Sequence, residues 1–275
     1  MTKLVMRLKA LTPAFERAVM KHWYQYAARR VQHADWVFMN FGYAEPDDAA
    51  GLQLLDREEP DRYCIQLYDH VAGVTQMAGK DVLEVGSGRG GGAAWLAQRY
   101  RPKSMIGLDF SGNAVELCGR IHCAPGLQFT HGNAEAMPFA DGSFDVVINI
   151  ESSHGYGRMD RFLSEVVRVL RPGGLFSWVD FRWQKDVPHT EQLFAAAGLR
   201  PVRSLNITAN VLRSLDAMRS QRLALIRQHS PWFARGLFRE FAAVKGSDSY
   251  DALADGRMVY LSRVFQRGSE TLSHS

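Results

Sequence analysis

Cysteine is scarce in this sequence, and what there is cannot staple it. Cys64, Cys118 and Cys123 are the only three in 275 residues. That is too few for a disulfide framework in a chain this long, so they are expected to be reduced and mostly buried. Long apolar runs are also missing: none approaches the roughly 18 residues that a membrane span needs. The N-terminus, Met1-Thr-Lys-Leu-Val-Met-Arg-Leu-Lys9, has basic residues but no apolar h-region or small-residue cleavage site. That argues against a secretory leader and for a cytoplasmic protein. Metal-ligand spacing is absent too. Cys118-x-x-x-His122-Cys123, with His131 beyond, fits no tetrahedral zinc pattern, so no metal is expected.

Acidic residues are locally sparse. Residues 1–34 carry seven Lys or Arg against Glu16 alone, and 211–245 carry seven against Asp216 and Glu240, in a chain of net charge +4. Two solvated helix faces account for this. The alternative is peripheral contact of the basic N-terminal helix with anionic lipid or an acidic carrier protein. No nucleic-acid-binding module is visible, which excludes nucleic acid as the expected partner. A homo-oligomer is compatible with the sequence.

What the sequence does contain is a core: 46% hydrophobic and 23% charged residues suit one large domain with an appendage. Thr12-Pro13 opens an N-terminal helix carrying Phe15, Val19, Trp23 and Tyr26 at helical spacing. An aromatic segment, Trp36–Tyr43, follows it. Pro60 starts a second helix through Tyr63, Leu67, Val71 and Val74. From Asp81 onward strands and helices alternate. Strands are expected at Asp81–Val85, Ser104–Leu108, Leu127–His131, Phe144–Ile150, Leu175–Asp180, Pro201–Ile207 and Met258–Phe265, the last closing the sheet edge. Helices are expected at Gly91–Tyr100, Ala114–Ile121 with Ser111 as its cap, Arg161–Leu170, 188–199, Val211–Gln228 and Pro231–Val244. This alternation implies an α/β fold, a parallel sheet with helices on both faces. The expected organisation is a helical N-terminal lid or appendage (1–58), a core (59–268) and a frayed tail (269–275). Within the core, 208–257 is a helical insert contributing to the lid.

The stretch Asp81-Val-Leu-Glu-Val-Gly-Ser-Gly-Arg-Gly-Gly-Gly92 joins a strand to a helix, where glycines let the backbone approach a ligand and helix N–H groups point at it. Gly86-x-Gly88-x-Gly90 alone suits any dinucleotide. Glu84, two residues before the first glycine, would repel a pyrophosphate but suits the ammonium of an amino-acid ligand such as the methionine part of S-adenosylmethionine. Asp109, 23 residues after Gly86, can accept both ribose hydroxyls. After the third strand, Gly132-Asn133-Ala134-Glu135 offers a side-chain acceptor and a backbone N–H to adenine.

Val82–Gly90, Gly107-Leu-Asp-Phe-Ser111, the Asn133 segment, Ser143-Phe-Asp-Val-Val147 and Val169-Leu-Arg-Pro-Gly-Gly174 resemble, in order, the motifs of class I small-molecule methyltransferases. Across the chain, Trp36–Tyr43, Glu59–Arg62, Ile65–Tyr68, Ser152-Ser-His-Gly-Tyr156 and Phe162–Gly174 resemble the mycobacterial phthiotriol/phenolphthiotriol dimycocerosate O-methyltransferases. The resemblance implies a Rossmann-like sheet of seven strands, mostly parallel with the last antiparallel. It also implies S-adenosylmethionine as cofactor and S-adenosylhomocysteine as its product. Cofactor contacts are expected from Tyr43, Glu84, Gly86, Ser87, Gly88, Gly90, Asp109, Phe110, Asn133, Ala134, Glu135 and Glu151. Asn133 stands where the family has an acid; its amide oxygen can still accept from adenine N6.

Methyl transfer to a hydroxyl needs alignment and a base. His154 lies four residues past the fourth strand, at the carboxyl edge where such sheets bind ligands, and Asp180 ends the neighbouring fifth strand. More distantly related sugar O-methyltransferases use a His and an Asp at the matching positions. His154 is therefore the expected base and Asp180 its orienting partner. Trp23, Tyr24, Trp36 and Phe38 are either the wall of a hydrophobic acceptor pocket or plain core. The expected reaction is O-methylation of a lipid-like, polyketide or terpenoid-type natural product. C-methylation of a prenyl or alkene group through a carbocation, and a non-catalytic cofactor-binding partner protein, are the alternatives. No Asn/Asp-Pro-Pro-Tyr/Phe follows the fourth strand, which speaks against a nucleic-acid methylase.

Overall fold

The computed structural model describes residues 37–46, 51–232 and 234–268. The expected helix from Thr12, with Trp23 and Tyr24, and Trp36 lie outside the described residues. Seven strands form one sheet: β1 Asp81–Val85, β2 Ser104–Asp109, β3 Leu127–His131, β4 Phe144–Ile150, β5 Leu170–Trp183, β6 Leu199–Asn206 and β7 Met258–Arg267, in the order β3-β2-β1-β4-β5-β7-β6. β1 to β5 pair in parallel, and β7 runs antiparallel to both of its neighbours. After β3 the chain crosses back to lay β4 against β1, so the order reverses between β1 and β4. In open α/β sheets, ligands bind at the carboxyl ends beside such a reversal.

The helices are α1 Arg62–Thr75, α2 Gly91–Tyr100, α3 Gly112–Ile121, α4 Met159–Val169, α5 Val187–Ala196, α6 Thr208–Ala217, α7 Arg219–His229, α8 Arg235–Phe241 and α9 Asp248–Ala254. Burial explains the strand sequences. β1 is buried from Val82 to Val85 and β4 at nearly every position, as strands covered on both faces must be. Alternate β4 residues feed opposite cores. Val146 and Ile148 pack with α1, α2, α6 and α9, whereas Val147 packs with α4 and α5. Phe38, Phe41 and Tyr43 join the first core. Among the described residues no helix is long and apolar enough to cross a membrane. Cys64 and Cys118 are buried, Cys123 is exposed, and all three are free thiols.

Four expectations need correcting. β7 is not at the sheet edge; it is inserted between β5 and β6, which leaves β6 outermost. β5 is longer than Leu175–Asp180 because β7 supplies partners as far as Trp183. It also begins at Leu170, and residues 171–174 loop out between the pairs Phe144↔Leu170 and Val146↔Leu175. The expected helix Val211–Gln228 breaks into α6 and α7 at Met218, whose ψ of 0 leaves the helical region. Pro231–Val244 is helical only over α8, and α9 was not anticipated, although Ser247 caps it by accepting from the Tyr250 N–H at 3.2 Å. The Ser111 cap is present, its Oγ accepting from Ala114 N at 3.3 Å.

Candidate active site

β1 delivers the chain to Gly86 with φ 78, and Gly90 repeats the left-handed backbone with φ 77. A Cβ on Gly86 would lie 2.3 Å from Ser152 Oγ, and one on Gly90 2.7 Å from the Phe129 ring. Both the backbone angle and the space therefore demand glycine. Asp109, at the end of β2, holds this turn: Oδ2 accepts from Gly88 N at 2.9 Å and Oδ1 from Ser111 N at 2.8 Å. Burial pushes its carboxyl up to about 6. Each oxygen keeps acceptor capacity beyond its one bond.

Glu84 is 1% exposed, and the Tyr68 hydroxyl donates to its Oε1 at 2.7 Å. Its Oε2 is buried beside the backbone of Ala93 and takes no hydrogen bond of normal geometry among the described residues. Burial raises this carboxyl to about 7. A buried carboxylate oxygen without a full partner is costly, and it fits a ligand that brings an ammonium group to the end of β1. The Ser87 side chain turns toward Gly107 of β2, while its N–H donates to Leu108 O at 3.0 Å and its carbonyl accepts from Gly90 N at 2.9 Å, so Ser87 shapes the turn.

After β3, Asn133 Oδ1 accepts from Glu135 N at 3.0 Å and its carbonyl from Ala136 N at 3.0 Å, a tight turn that buries Ala134. Glu135 turns the other way: its Oε1 accepts from Gly157 N at 2.8 Å and Arg158 N at 2.9 Å, tying this turn to the loop before α4. Phe110 is 46% exposed at the carboxyl end of β2, edge-on to His131.

β4 and β5 bring His154 and Asp180 together. His154 Nδ1 lies 2.9 Å from Asp180 Oδ1, and the His154 backbone N–H donates to Oδ2 at 2.9 Å. Ser153 Oγ donates to Oδ2 at 2.7 Å, and Phe181 N to Oδ1 at 2.9 Å. Asp180 is fully buried, which alone would raise its carboxyl. The charges of His154 and Arg182 and the hydrogen bonds from His154 and Ser153 outweigh burial and hold it well below the usual carboxylate range. The His154 ring stacks on Phe181 at 4.3 Å, and Phe181 on Phe41 at 5.5 Å.

Glu151 follows β4 with φ 44, a left-handed conformation that costs a non-glycine residue about 1–2 kcal/mol. Its carboxylate accepts from the Phe41 backbone N–H and the Tyr260 hydroxyl of β7, and burial raises it to about 7. These bonds reward the strained backbone by tethering residues 38–44 to the sheet. Phe41, rather than Tyr43, meets this cluster. Tyr43 packs on His70 at 4.7 Å and donates its hydroxyl to Glu45 at 2.6 Å. Phe38 is buried edge-on to Tyr68 and lines a cavity of about 60 Å³ with Met39, Cys64, Met218, Ile226 and Phe241. The insert grips the same segment: Ser214 Oγ donates to Phe41 O at 2.8 Å and Arg222 Nη2 to Asn40 O at 2.8 Å.

Sequence reasoning missed Tyr68, Phe41, Ser153, Arg182 and Tyr260. Arg182 left a signal, since a strand's period of two puts it on the same face as Asp180, and Phe41, Tyr68 and Ser153 lie in segments that carry the family resemblance without marking a role. Tyr260 comes from a distant strand whose approach no spacing reveals.

Among the described residues no group of three or more His, Cys, Asp or Glu is placed to hold a metal ion. A family model described as a methyltransferase domain matches residues 83–178, from β1 into β5. The sheet order, the glycine loop and this match define a class I methyltransferase whose cofactor is S-adenosylmethionine. The chain is 40% identical over 249 residues to a phthiotriol/phenolphthiotriol dimycocerosates methyltransferase of Mycobacterium tuberculosis, covering 90% of this chain and 92% of that one. It is 38% identical over 247 residues to a fatty-acid O-methyltransferase of Mycolicibacterium smegmatis, covering 90% and 89%. The chain belongs to the family of the phthiotriol/phenolphthiotriol dimycocerosates methyltransferases. Among solved structures, geranyl diphosphate C-methyltransferase from Streptomyces coelicolor A3(2) shares the fold with a TM-score of 0.63 at 18% identity, over 89% of this chain and 98% of that one.

Proposed function

We propose that this enzyme methylates a hydroxyl oxygen of an apolar, lipid-type acceptor, with His154 as general base. The observation that carries the reading is the 2.9 Å contact of His154 Nδ1 with fully buried Asp180. Because Asp180 is held ionised, Nδ1 must carry the hydrogen, and the neutral ring offers its Nε2 lone pair to an acceptor hydroxyl. When bound, S-adenosylmethionine supplies an electrophilic methyl group on its sulfonium. Glu84 pairs with the cofactor's ammonium, Asp109 accepts from its ribose hydroxyls, and Asn133 and Ala134 receive its adenine. Phe41 and Phe181 stack beside His154 as an apolar wall for the acceptor, and the segment carrying Phe41, with α6 and α7, acts as the cover. A lipid-type acceptor is supported by the substrates in the relatives' names.

The M. smegmatis relative favours a second reading, transfer to a fatty-acid carboxylate. That nucleophile is already ionised and needs no base. Wild type and His154→Ala are to be given labelled cofactor with long-chain alcohols and phenols, fatty acids and prenyl diphosphates. The expected result is label in the hydroxyl acceptor, cut by ~10²–10⁴-fold in His154→Ala, the range for a general base. Equal rates in both proteins would remove His154 from its role. A fatty-acid ester as the main product would establish the second reading, and a methylated prenyl carbon would establish carbocation chemistry.

A further inference from the structure

Asp180 has a second partner that base-and-orienter chemistry does not require. Trp178, Asp180 and Arg182 share one face of β5, because side chains alternate along a strand. Arg182 Nη1 lies 3.1 Å from Asp180 Oδ2, and its side chain is 12% exposed. Nη1 also donates to Phe181 O at 2.7 Å, and Nη2 donates to Ser153 Oγ at 2.7 Å. The guanidinium sits 4.9 Å over the Trp178 ring, whose Nε1 donates to the same Ser153 Oγ at 2.8 Å. Ser153 gives its one proton to Asp180 and accepts from Trp178 and Arg182, so its hydrogen-bonding capacity is full. Arg182 is thus a fixed cation on the far oxygen of the carboxylate that holds His154.

We propose that Arg182 is a positioning residue that sets the pH range in which His154 works. Its charge balances Asp180, so the carboxylate orients the imidazole without locking a proton onto it. The inference rests on the reading of His154 as general base. A buried carboxylate favours the protonated form of an adjacent imidazole, and a base that already carries its proton cannot accept another. A guanidinium stays charged at every working pH, so the compensation is permanent. Among the described residues, the charged and titratable groups around His154 are Asp180, Arg182, Glu151 and, through Glu151, Tyr260. Of these only Arg182 is a cation.

The test is kcat/KM for the hydroxyl acceptor against pH in wild type, Arg182→Met and Arg182→Lys. In Arg182→Met the acid limb is expected to move up by about one pH unit, the low end of the effect of a neighbouring charge. Arg182→Lys, which keeps the charge, is expected to bring the limb back toward wild type. A rate lowered equally at every pH, with the limb unmoved, would reduce Arg182 to a structural residue and overturn the inference. Arg182→Gln, which removes the cation but keeps a side-chain donor toward Ser153 Oγ, covers the case in which Arg182→Met does not fold. A shift in the same direction supports the proposal, and an unmoved limb overturns it. The two readings fail separately. An inactive His154→Ala with an unmoved Arg182→Met limb sinks only this inference, whereas an active His154→Ala sinks both.

Discussion

The Tyr68 hydroxyl donates to Glu84 Oε1 at 2.7 Å, so the first described helix holds the carboxylate that ends β1 by one oxygen and leaves the other for a ligand. Glu84→Gln keeps the shape and removes the charge. Hydrogen bonds to charged groups contribute ~1.5–3 kcal/mol, so S-adenosylmethionine is expected to bind the variant about 10- to 100-fold more weakly. Because Glu84 sits at about 7 in the free protein, pairing it with an ammonium drives it ionised. At pH 7, binding should release roughly half a proton, read by calorimetry in buffers of different ionisation enthalpy. The release should vanish in Glu84→Gln; an unchanged value there would assign the proton to another group.

Buried acids make stability depend on pH. Glu84 and Glu151 are raised to about 7, and Asp61 and Asp109 to about 6, all by burial. The folded state holds these protons more tightly than the unfolded chain. Their contribution is complete below the ordinary carboxylate range and is lost as pH rises through 6 to 7. His70, lowered to about 4 by burial, works in the opposite sense, but only below its ordinary value of 6.5. Between pH 6.5 and about 8 that opposition, shared by His122, fades while the two raised glutamates still lose protons, so the Tm of the cofactor-free protein should fall. Saturating S-adenosylmethionine should flatten the slope by pairing Glu84. A cofactor-free Tm that rises across this window would contradict the burial of these acids.

Two glycines on helices separate packing from propensity. A Cβ on Gly92, in the first turn of α2, would lie 1.8 Å from Tyr68 Cζ, whereas one on Gly119 in α3 meets nothing within 4 Å. Gly92→Ala should therefore destabilise by about 1–3 kcal/mol, as overpacking does, and weaken cofactor binding by displacing Tyr68 from Glu84. Gly119→Ala should gain about 0.5–1 kcal/mol from helix propensity. Thermal melts and cofactor titrations of the two variants check both, and a Gly92→Ala protein that melts like wild type would disprove the contact.

β1 and β4 were legible because each is a short, buried run rich in β-branched residues, and β3, which has no fully buried position, because it lies between Gly126 and Gly132. β1, β3 and β4 start and stop at the expected residues. The insert was less so. Apolar spacing runs on past Met218, where the helix breaks without glycine or proline, and α9 is too short for periodicity to register. The place of β7 between β5 and β6 depends on long-range pairing, which a local pattern does not encode.

By itself the sequence determined the cofactor: the glycine loop and the expected contacts Glu84 and Asp109 lie close together along the chain, on a strand–turn–helix–strand unit whose geometry follows from local chemistry. Only the tertiary structure decided what surrounds His154. Asp180 was already expected as its partner, but Arg182 lies 29 residues past Ser153, Phe41 lies 110 residues before Glu151, and Tyr260 lies 109 residues after it. Such contacts form because the sheet places β4, β5 and β7 side by side and buries their polar ends together. Buried polar groups must find partners wherever the fold brings them.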